Sequence, residues 1–385
     1  MSAPLPVTGA WQPGMPAGHR QFLSIATDHP FVLEGGGHLH DVTLAYETWG
    51  ELDASASNAV LLCHAWTGDS HVHGPAGSGH PAGGWWDGVV GPGCAVDTDR
   101  YFVVCANVLG GCQGTTGPAS IDPDAGRPYG SRFPVVTPRD MVRTQARLAD
   151  HLGIRRWHSV IGGSMGGMQV LEWGITFPDR VASLVPIATC LQATAQQIAL
   201  SAIGRRAVRM DPHFHGGDYY GEEVGPVAGL AVARQIAQVM FRSDEVFTQR
   251  FGRELVDPND RFELWQRFEV ERYLDYHGDK LVRRFDANSY LLLGKAMDLH
   301  DVARGRGGVV PAMRRISVPV LTMGIWSDVL YPSYQQQEIR DVLVAIGGDC
   351  EYVEIDSPEG HDAFLIDLEQ VGSALGCFLD RIGKD

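Results

Sequence analysis

The residues with the clearest chemical meaning are Gly162-Gly163-Ser164-Met165-Gly166, which form a G-x-S-x-G pattern. The pattern directly follows an apolar run that ends at Ile161, and a helix-compatible stretch, 168–177, comes directly after it. Glycines on both sides let the chain turn sharply without a Cβ clash, so the serine hydroxyl is exposed at the end of a strand. The pattern predicts that Ser164 is a nucleophile. A glycine-rich turn that serves only close packing is the alternative.

A serine hydroxyl is a weak nucleophile near neutral pH, and it needs a general base that a carboxylate orients. In folds with this serine turn, the acid and then the base follow the serine along the chain. Asp328 lies in a loop after one predicted strand, and His361 lies in a short loop after the last predicted strand. We therefore predict a catalytic triad of Ser164, Asp328 and His361. Asp356 and Asp362 are weaker candidates for the acid, because neither lies at a separate strand end.

The negative charge that develops on a substrate carbonyl oxygen requires hydrogen-bond donors aimed at it. The loop that follows the apolar run Ala59–Cys63 is where such folds supply one donor, and the residue after the serine supplies the other. We assign the backbone amides of Trp66 and Met165 to this oxyanion hole. Main-chain donors do not require the side chain of Trp66, which is alternatively a core aromatic beside the sheet.

An arginine stands within an apolar helical face of the segment Val227–Phe241. Leu230, Arg234 and Phe241 share that face by their spacing. A guanidinium group in such a place snorkels to solvent, forms an internal ion pair, or faces a cavity where it holds a carboxylate. The residues alone leave these alternatives open.

Three histidines, His71, His73 and His80, have a spacing loosely like that of metal ligands. No carboxylate or cysteine pattern accompanies them, as metal sites usually require. We predict that they are solvated loop histidines and that the chain has no metal site.

The elements that must position these residues come in the order sheet, helices, sheet. The predicted strands are 59–63, 101–106, 159–161, 183–187, 318–325 and 351–355. The predicted helices of the middle region are 227–241, 262–274 and 289–299, and a closing helix covers 365–379. We predict one α/β core, 1–192 and 310–385, with a helical insertion, 193–309, that forms a lid over the carboxyl ends of the strands.

The composition of the chain excludes several function classes. Hydrophobic residues make up 44% of the 385 residues and charged residues 20%, which is typical of globular proteins and not of disordered ones. The net charge of −15 and the absence of a Lys/Arg run argue against nucleic acid or an anionic membrane as a partner. Seven cysteines without a C-x-x-C pair indicate neither a disulfide framework nor a zinc site. Without a signal-peptide pattern or a long apolar run, we expect a cytoplasmic protein.

Several longer segments carry a resemblance to a known family. They are HAWTGDSH at 64–71, GGWWDGVVGPG at 83–93, DTDRYFVVCANVLGGCQGTTGPASIDP at 97–123, GGSMGGMQVLEW at 162–173, HGGDYYG at 215–221, RFDANSYL at 284–291 and SPEGHDAFL at 357–365. With them the chain resembles the homoserine O-acyltransferases of methionine biosynthesis, which have the α/β-hydrolase fold. The combination is far more specific than G-x-S-x-G alone.

The resemblance implies transfer of an acetyl group from acetyl-CoA, a co-substrate, to the hydroxyl of L-homoserine. The cycle is of the ping-pong type, passes through an acyl-serine and uses no other cofactor. The predicted triad falls on the family's nucleophile, acid and base. Arg234 falls on the arginine that holds the substrate carboxylate, and Asp362 falls on the acid that pairs with the substrate amino group. Thr67, in the oxyanion loop, is a further candidate for substrate binding.

Two departures from the family pattern leave alternatives for the substrates. Phe241 stands where a tyrosine is usual, and Trp66 stands where leucine is common. The alternatives are a succinyl-CoA donor, a serine or deacetylcephalosporin acceptor, or delivery of the acyl group to water by a serine esterase. The resemblance also implies a homodimer formed through the lid.

Overall fold

An eight-stranded sheet forms the centre of the computed structural model, which describes residues 4–260 and 262–382. Its strands are β1 (Gln21–Ile25), β2 (Val42–Trp49), β3 (Ala59–Cys63), β4 (Phe102–Ala106), β5 (Ser159–Gly163), β6 (Leu184–Ile187), β7 (Val320–Ile325) and β8 (Cys350–Ile355). Their spatial order is β1-β2-β4-β3-β5-β6-β7-β8. The pairs β1/β2 and β2/β4 are antiparallel, and the remaining neighbours are parallel. This sheet confirms the predicted α/β-hydrolase fold.

The central strands are buried along their whole length. Every residue of β3, β5, β6 and β7 is buried, which is the pattern of parallel strands covered by helices on both faces. The register pairs Val160 of β5 with Leu61 of β3 and with Leu184 of β6. Three short ladders lie outside this sheet: Phe31–Val32 with His38–Leu39, Val90–Gly91 with Val96–Asp97, and Ile121–Asp122 with Arg127–Pro128.

Eleven α-helices surround or cover the sheet in the part of the chain that the structure describes. They are α1 (Pro138–His151), α2 (Met165–Thr176), α3 (Ala195–Met210), α4 (Val227–Phe241), α5 (Asp244–Phe251), α6 (Glu269–Val282), α7 (Ala287–Asp298), α8 (Val309–Met313), α9 (Tyr334–Ala345), α10 (Ala363–Ile366) and α11 (Leu368–Ile382). Short 3-10 turns lie at Gly130–Arg132, Pro178–Arg180, His215–Gly217, Pro258–Asp260 and Gly360–Asp362. Within the described ranges, none of these helices combines the length and the hydropathy that crossing a membrane requires.

Helices α3 to α7 lie between β6 and β7 and form the lid. α4 packs against α3 and α6, and α3 also packs against α7. Thr194 and Gln197 form a capping box at the start of α3. The side chain of Gln197 also donates a hydrogen bond to the carbonyl of Leu330 in the core, 2.8 Å away. The predicted boundaries, 193 and 309, fall just before α3 and at the first residue of α8.

Two predicted helices differ from the structure. The helix predicted over 262–274 is wrong in its first half, because α6 begins at Glu269 and Phe262, Leu264 and Trp265 are 97%, 82% and 87% exposed. Their apolar spacing is helical, but no neighbouring element buries them. The predicted closing helix is two helices, α10 and α11, that meet at Asp367, whose ψ of 61° interrupts the helical path.

Candidate active site

Ser164 lies in a sharp turn between β5 and α2. Its φ of 58° and ψ of −122° place it in a conformation that non-glycine residues rarely adopt. Two glycines permit this turn: a Cβ on Gly166 would lie 2.1 Å from the carbonyl oxygen of Cys63, and one on Gly162 would lie 2.7 Å from the backbone of Gly166. The glycines that flank the serine are therefore required by close backbone contacts.

The structure brings the three predicted triad residues together. The Ser164 hydroxyl donates to Nε2 of His361 at 2.9 Å, and Nδ1–H of His361 donates to Oδ2 of Asp328 at 2.6 Å. A carboxylate only accepts hydrogen bonds, so the proton of the imidazole lies on Nδ1 and the lone pair on Nε2 faces the serine. The backbone amides of Leu330 and Tyr331 hold the other carboxylate oxygen, each at 2.8 Å. Such a chain can remove the serine proton.

The electrostatic surroundings favour the protonated form of His361. Burial lowers the pKa of this imidazole, but the charge and hydrogen bond of Asp328 outweigh that effect, and Asp362 adds to it. The net result is a pKa above the ordinary value of 6.5. His361 is therefore a stronger base than a free imidazole, as proton transfer from a serine hydroxyl requires.

Hydrogen bonds hold the loop after β3 in a defined conformation. The carbonyl of Ala65 accepts hydrogen bonds from Nδ1 of His64 at 2.8 Å and from the amide of Gly68 at 2.9 Å. Nε2 of His64 accepts from the amide of Val108 at 3.1 Å, which fixes the tautomer of this ring. Since the carbonyl and the amide of one trans peptide point in opposite directions, the amide of Trp66 faces away from these partners.

The second oxyanion donor lies at the start of α2. Met165 is the first residue of that helix, so its amide has no acceptor within it. Neither this amide nor that of Trp66 donates to another group of the described residues. Both amides are thus free to bind a developing oxyanion.

Arg234 and Asp362 lie in the same cavity as Ser164. This cavity has a volume of about 160 Å³ and is lined by Ala65, Trp66, Thr67, Gly68, Trp85, Ser164, Arg234, Phe241, Arg284, Met297, Leu330, His361, Asp362, Phe364 and Leu365. The guanidinium group of Arg234 lies over the ring of Phe241, 4.9 Å from its centre. The predicted substrate-binding residues Arg234, Asp362 and Thr67 therefore line the same cavity as Ser164 and His361.

Asp362 is flanked by two arginines. It lies 3.8 Å from Nε of Arg242, whereas no ion pair within 4.0 Å joins it to Arg234 among the residues that the structure describes. Burial raises the pKa of Asp362, and the charges of Arg234, Arg242 and His361 oppose that rise. Burial likewise lowers the pKa of Arg234, against the opposing charge of Asp362. Arg234 and Asp362 thus line one cavity, and no ion pair within 4.0 Å joins them among the described residues.

Two residues of the site did not follow from the sequence. Arg242 follows α4 with an extended backbone, and it forms an ion pair with Glu359 of the loop that carries His361. Arg284 lines the cavity, and its Nη1 donates to the carbonyl of Thr67 at 2.6 Å. Arg284 lies within the segment 284–291 that resembles the family, but no helical or strand periodicity of the sequence indicated that its side chain lines the cavity.

The predicted solvation of the three loop histidines is wrong for two of them. His71 and His80 are each 3% exposed, and both lie beside Glu47, which is fully buried in β2. Nδ1–H of His71 donates to Glu47 at 2.9 Å, and the rings of His71 and His80 stack at 3.9 Å. His73 is 31% exposed in its side chain and pairs with Asp87.

Glu47, His71 and His80 could hold a metal ion by residue type, since their ligand atoms lie within 4.8 Å of one another. Most of these atoms already form hydrogen bonds within the protein, although Nε2 of His71 has no partner among the described residues. Glu47 also accepts from the hydroxyl of Ser70 at 2.7 Å, and Nε2 of His80 accepts from the amide of His19 at 3.0 Å. We interpret the cluster as a hydrogen-bonded support of the loop that carries the oxyanion hole, and the absence of a metal site stays a prediction.

The charges of this cluster are balanced internally. Burial opposes the ionisation of both partners, but their hydrogen bond and mutual charge lower the pKa of Glu47 and raise that of His71. Burial lowers the pKa of His80 to about 4, so this ring is neutral. The rings of His71 and of the neutral His80 thus stack beside the buried Glu47.

Comparison with known proteins shows the family to which the chain belongs. Residues 58–295 match the family model of the alpha/beta hydrolase fold. The chain is 53% identical over 369 residues to a homoserine O-acetyltransferase of Thermobifida fusca, covering 96% of each chain. It is also 53% identical to a homoserine O-acetyltransferase of Moorella thermoacetica, covering 92% of this chain and 94% of that one.

Solved structures of similar shape include both transferases and esterases. A homoserine O-acetyltransferase from Bacillus anthracis has a TM-score of 0.87 at 29% identity, covering 94% of this chain and 97% of that one. Esterase E22 has a TM-score of 0.86 at 28% identity, covering 94% of this chain and 99% of that one. The shared backbone thus supports both kinds of acyl chemistry.

Proposed function

The chain belongs to the homoserine O-acetyltransferase family, and from this premise we propose that it transfers an acetyl group from acetyl-CoA to the hydroxyl of L-homoserine. It is an acyltransferase with the α/β-hydrolase fold. We further propose that acetyl-CoA is the acyl donor, that the two substrates react in a ping-pong order, and that the enzyme acts in methionine biosynthesis. The observation that carries it is the complete hydrogen-bond chain from Ser164 through His361 to Asp328 in a cavity that also holds Arg234 and Asp362.

The first half of the cycle forms an acyl-serine. His361 Nε2 takes the hydroxyl proton of Ser164 while the serine oxygen attacks the thioester carbonyl carbon. The amides of Trp66 and Met165 hold the resulting oxyanion. When the carbon–sulfur bond breaks, the imidazolium gives its proton to the leaving sulfur, and CoA departs as the free thiol.

The second half of the cycle transfers the acetyl group to the acceptor. The homoserine hydroxyl gives its proton to Nε2 of His361, and its oxygen attacks the acyl carbon of Ser164. Collapse of the second oxyanion releases the serine oxygen, which recovers the proton from the imidazolium. The same three side chains thus serve both halves, and the product is an ester of homoserine.

Selection of an amino acid as the acceptor follows from the two separated charges in the cavity. Arg234 presents a fork of donors that matches a carboxylate, and Asp362 presents acceptors to an ammonium group. A zwitterionic acceptor bound between them brings its side-chain hydroxyl toward Ser164. Because water lacks both charged groups, this binding favours transfer over hydrolysis, and the lid excludes bulk water from the cavity.

An acetyl donor is favoured over a succinyl donor by the walls beside Ser164. Trp66, Phe241, Met297 and Leu330 line the cavity with apolar side chains. A second carboxylate on the acyl chain would lose its hydration against such walls, and it would compete with the acceptor carboxylate for Arg234. Arg284, which also lines the cavity, already donates to the carbonyl of Thr67.

A panel of acyl-CoA donors against hydroxylated acceptors tests the proposal. The donors are acetyl-CoA and succinyl-CoA; the acceptors are homoserine, serine and deacetylcephalosporin, with water as the blank. We expect rapid release of free thiol only with acetyl-CoA and homoserine together, and mass spectrometry should show O-acetylhomoserine. Equal thiol release without an acceptor would identify a hydrolase. Ser164→Ala is the control, and it should abolish the acyl-enzyme adduct.

The same family membership leads us to propose a homodimer formed through the lid. Apolar side chains are exposed on its two adjacent outer helices, Ile198 and Ile203 on α3 and Val232 and Val239 on α4. Exposed apolar side chains on neighbouring helices are typical of an interface between copies. Sedimentation at micromolar concentration should show a dimer, and a monomer alone would exclude it.

A further inference from the structure

A second, smaller cavity lies inside the lid next to the catalytic cavity. It has a volume of about 30 Å³, and we call it the apolar chamber. Helix α3 contributes Leu200 and Gly204 to its wall, α4 contributes Ala233 and Ala237, and α7 contributes Tyr290. Aliphatic and aromatic groups dominate this wall. Three polar residues also line it, and each is bonded elsewhere: Gln197 to the carbonyl of Leu330, and Ser201 and Asp298 to Arg205. The apolar chamber is therefore suited to hydrocarbon.

Trp66 lies between the two cavities and lines both of them. Its indole stacks on the ring of Tyr290, with ring centres 4.2 Å apart, and its Nε1–H donates to the carbonyl of Tyr290 at 3.3 Å. The edge of the indole next to Nε1 meets Gly294, where a Cβ would lie only 2.9 Å from Cζ2. A ring contact, a hydrogen bond and a missing side chain thus hold the indole in place.

The other side chains shared by the two cavities are Phe241, Met297 and Leu330. Met297 is unbranched and moves easily between rotamers. Phe241 carries the guanidinium group of Arg234 on its face and belongs to the acceptor side of the cavity. Among these four residues, Trp66 combines the largest side chain with fixed contacts on several sides.

We propose that the Trp66 side chain limits the length of the acyl group by closing the apolar chamber to it, an inference that rests on the proposed acyl transfer through Ser164. The amide of Trp66 holds the carbonyl oxygen of the bound acyl group, so the acyl carbons lie beside the indole of the same residue. An acetyl methyl fits in front of the ring. A longer chain must displace the ring to reach the apolar chamber.

Trp66→Leu tests this assignment through a ratio of rates. The measured quantity is kcat/KM for p-nitrophenyl butyrate divided by that for p-nitrophenyl acetate, each followed by phenolate release. Every methylene that gains a buried apolar place is worth about four-fold in affinity, so two methylenes should raise the ratio about fifteen-fold. Butyryl-CoA and acetyl-CoA should show the same change. A ratio cancels any loss of oxyanion stabilisation that both substrates share.

Trp85→Leu is the matched control. Trp85 lines the catalytic cavity but not the apolar chamber, as far as the described residues show, and its Nε1–H donates to the carbonyl of Asp69 at 2.9 Å. This variant should leave the ratio within two-fold of the wild type. A second control, Ala237→Leu added to Trp66→Leu, refills the apolar chamber from α4 and should return the ratio toward the wild-type value.

The outcomes separate this inference from the proposed function. The ester panel reads acylation of Ser164 without CoA or homoserine, so failure of homoserine acetylation would count against the proposed function alone. A folded Trp66→Leu enzyme with an unchanged ratio would overturn the assignment, as would an equal rise in Trp85→Leu. If Trp66→Leu does not fold, Trp66→Phe replaces it, and its ratio should lie between those of the wild type and a two-methylene gain. An unchanged ratio there would also overturn the assignment.

Discussion

Asp328→Asn separates the role of the triad acid from its structural contacts. Oδ1 of Asp328 accepts from the amides of Leu330 and Tyr331, and an asparagine oxygen at the same place keeps both bonds. The amide nitrogen then replaces Oδ2, which accepts from Nδ1 of His361 at 2.6 Å in the wild type. Two donors cannot face each other, so His361 must move its proton to Nε2 and loses the lone pair that faces Ser164.

The expected cost of this wrong tautomer is a fall of about 10⁴-fold in kcat, the size seen when a serine triad loses its acid in the same way. At about 1.4 kcal/mol per factor of ten, this is roughly 5.5 kcal/mol of transition-state stabilisation. The assay is thiol release from acetyl-CoA at saturating homoserine, with thermal unfolding as the check that the fold persists. We expect a melting temperature close to that of the wild type.

Asp356→Asn is the matched control for this substitution. Asp356 is the rival carboxylate near the end of β8, and it is exposed, with its backbone bonded to Gln370. Its replacement should leave thiol release unchanged. If Asp328→Asn retained activity within ten-fold of the wild type, or if Asp356→Asn lost as much, the assignment of the acid would be refuted.

Three further predictions concern the charged groups around the triad. Arg284→Ala should lower kcat/KM for p-nitrophenyl acetate about ten-fold, because the oxyanion loop loses a hydrogen bond, and should change the KM for homoserine little. Arg234→Ala should raise the KM for homoserine about 100-fold and leave acylation by the ester unchanged. The reverse pattern would show that the two roles are exchanged. Glu47→Gln should lower the free energy of unfolding in urea by about 3 kcal/mol, because it leaves His71 buried without its partner. The loss of stability should be largest between about pH 4.5 and 6.5. The lowered pKa of Glu47 stabilises the folded protein above pH 4.5. The raised pKa of His71 stabilises it below pH 6.5, and this contribution falls as the pH rises through the pKa of His71 in the folded protein. A pH-independent loss would contradict this pairing. Finally, kcat/KM for the acyl donor should rise with pH with a midpoint above 6.5, since the reaction needs neutral His361 and its pKa is raised; a midpoint below 6.5 would be inconsistent with the ion pair.

The positions of the triad could be predicted because each member follows a strand of the same sheet. Carboxyl ends of parallel strands meet at one edge, so Ser164 after β5, Asp328 after β7 and His361 after β8 had to lie near one another. The oxyanion loop after β3 obeys the same rule. The strands and the short loops that follow them position these residues, and both kinds of element have clear patterns in the sequence.

The environment of the buried histidines could not be predicted, because it depends on partners distant in the chain. His71 and His80 lie in a polar loop, which normally indicates exposure. Their burial follows from Glu47, which lies in a strand more than twenty residues earlier, and from the packing of His19 against them. A glutamate within a buried strand was the one available signal, since such a residue requires a partner inside the protein.

The choice between transfer and hydrolysis depends on the lid and not on the elements that the sequence predicts best. Solved structures of a transferase and of an esterase share this backbone, so the backbone alone cannot select the acceptor. Arg234 reaches the cavity from α4, and Asp362 meets it from the core only because the C-terminal end of α4 packs on the loop that carries His361. If the acceptor binds between Arg234 and Asp362 as proposed, its selection depends on the packing of the lid against the core. Substitutions that weaken the packing of the lid against the core should therefore favour hydrolysis of the acyl-enzyme over transfer to homoserine, while acylation of Ser164 persists.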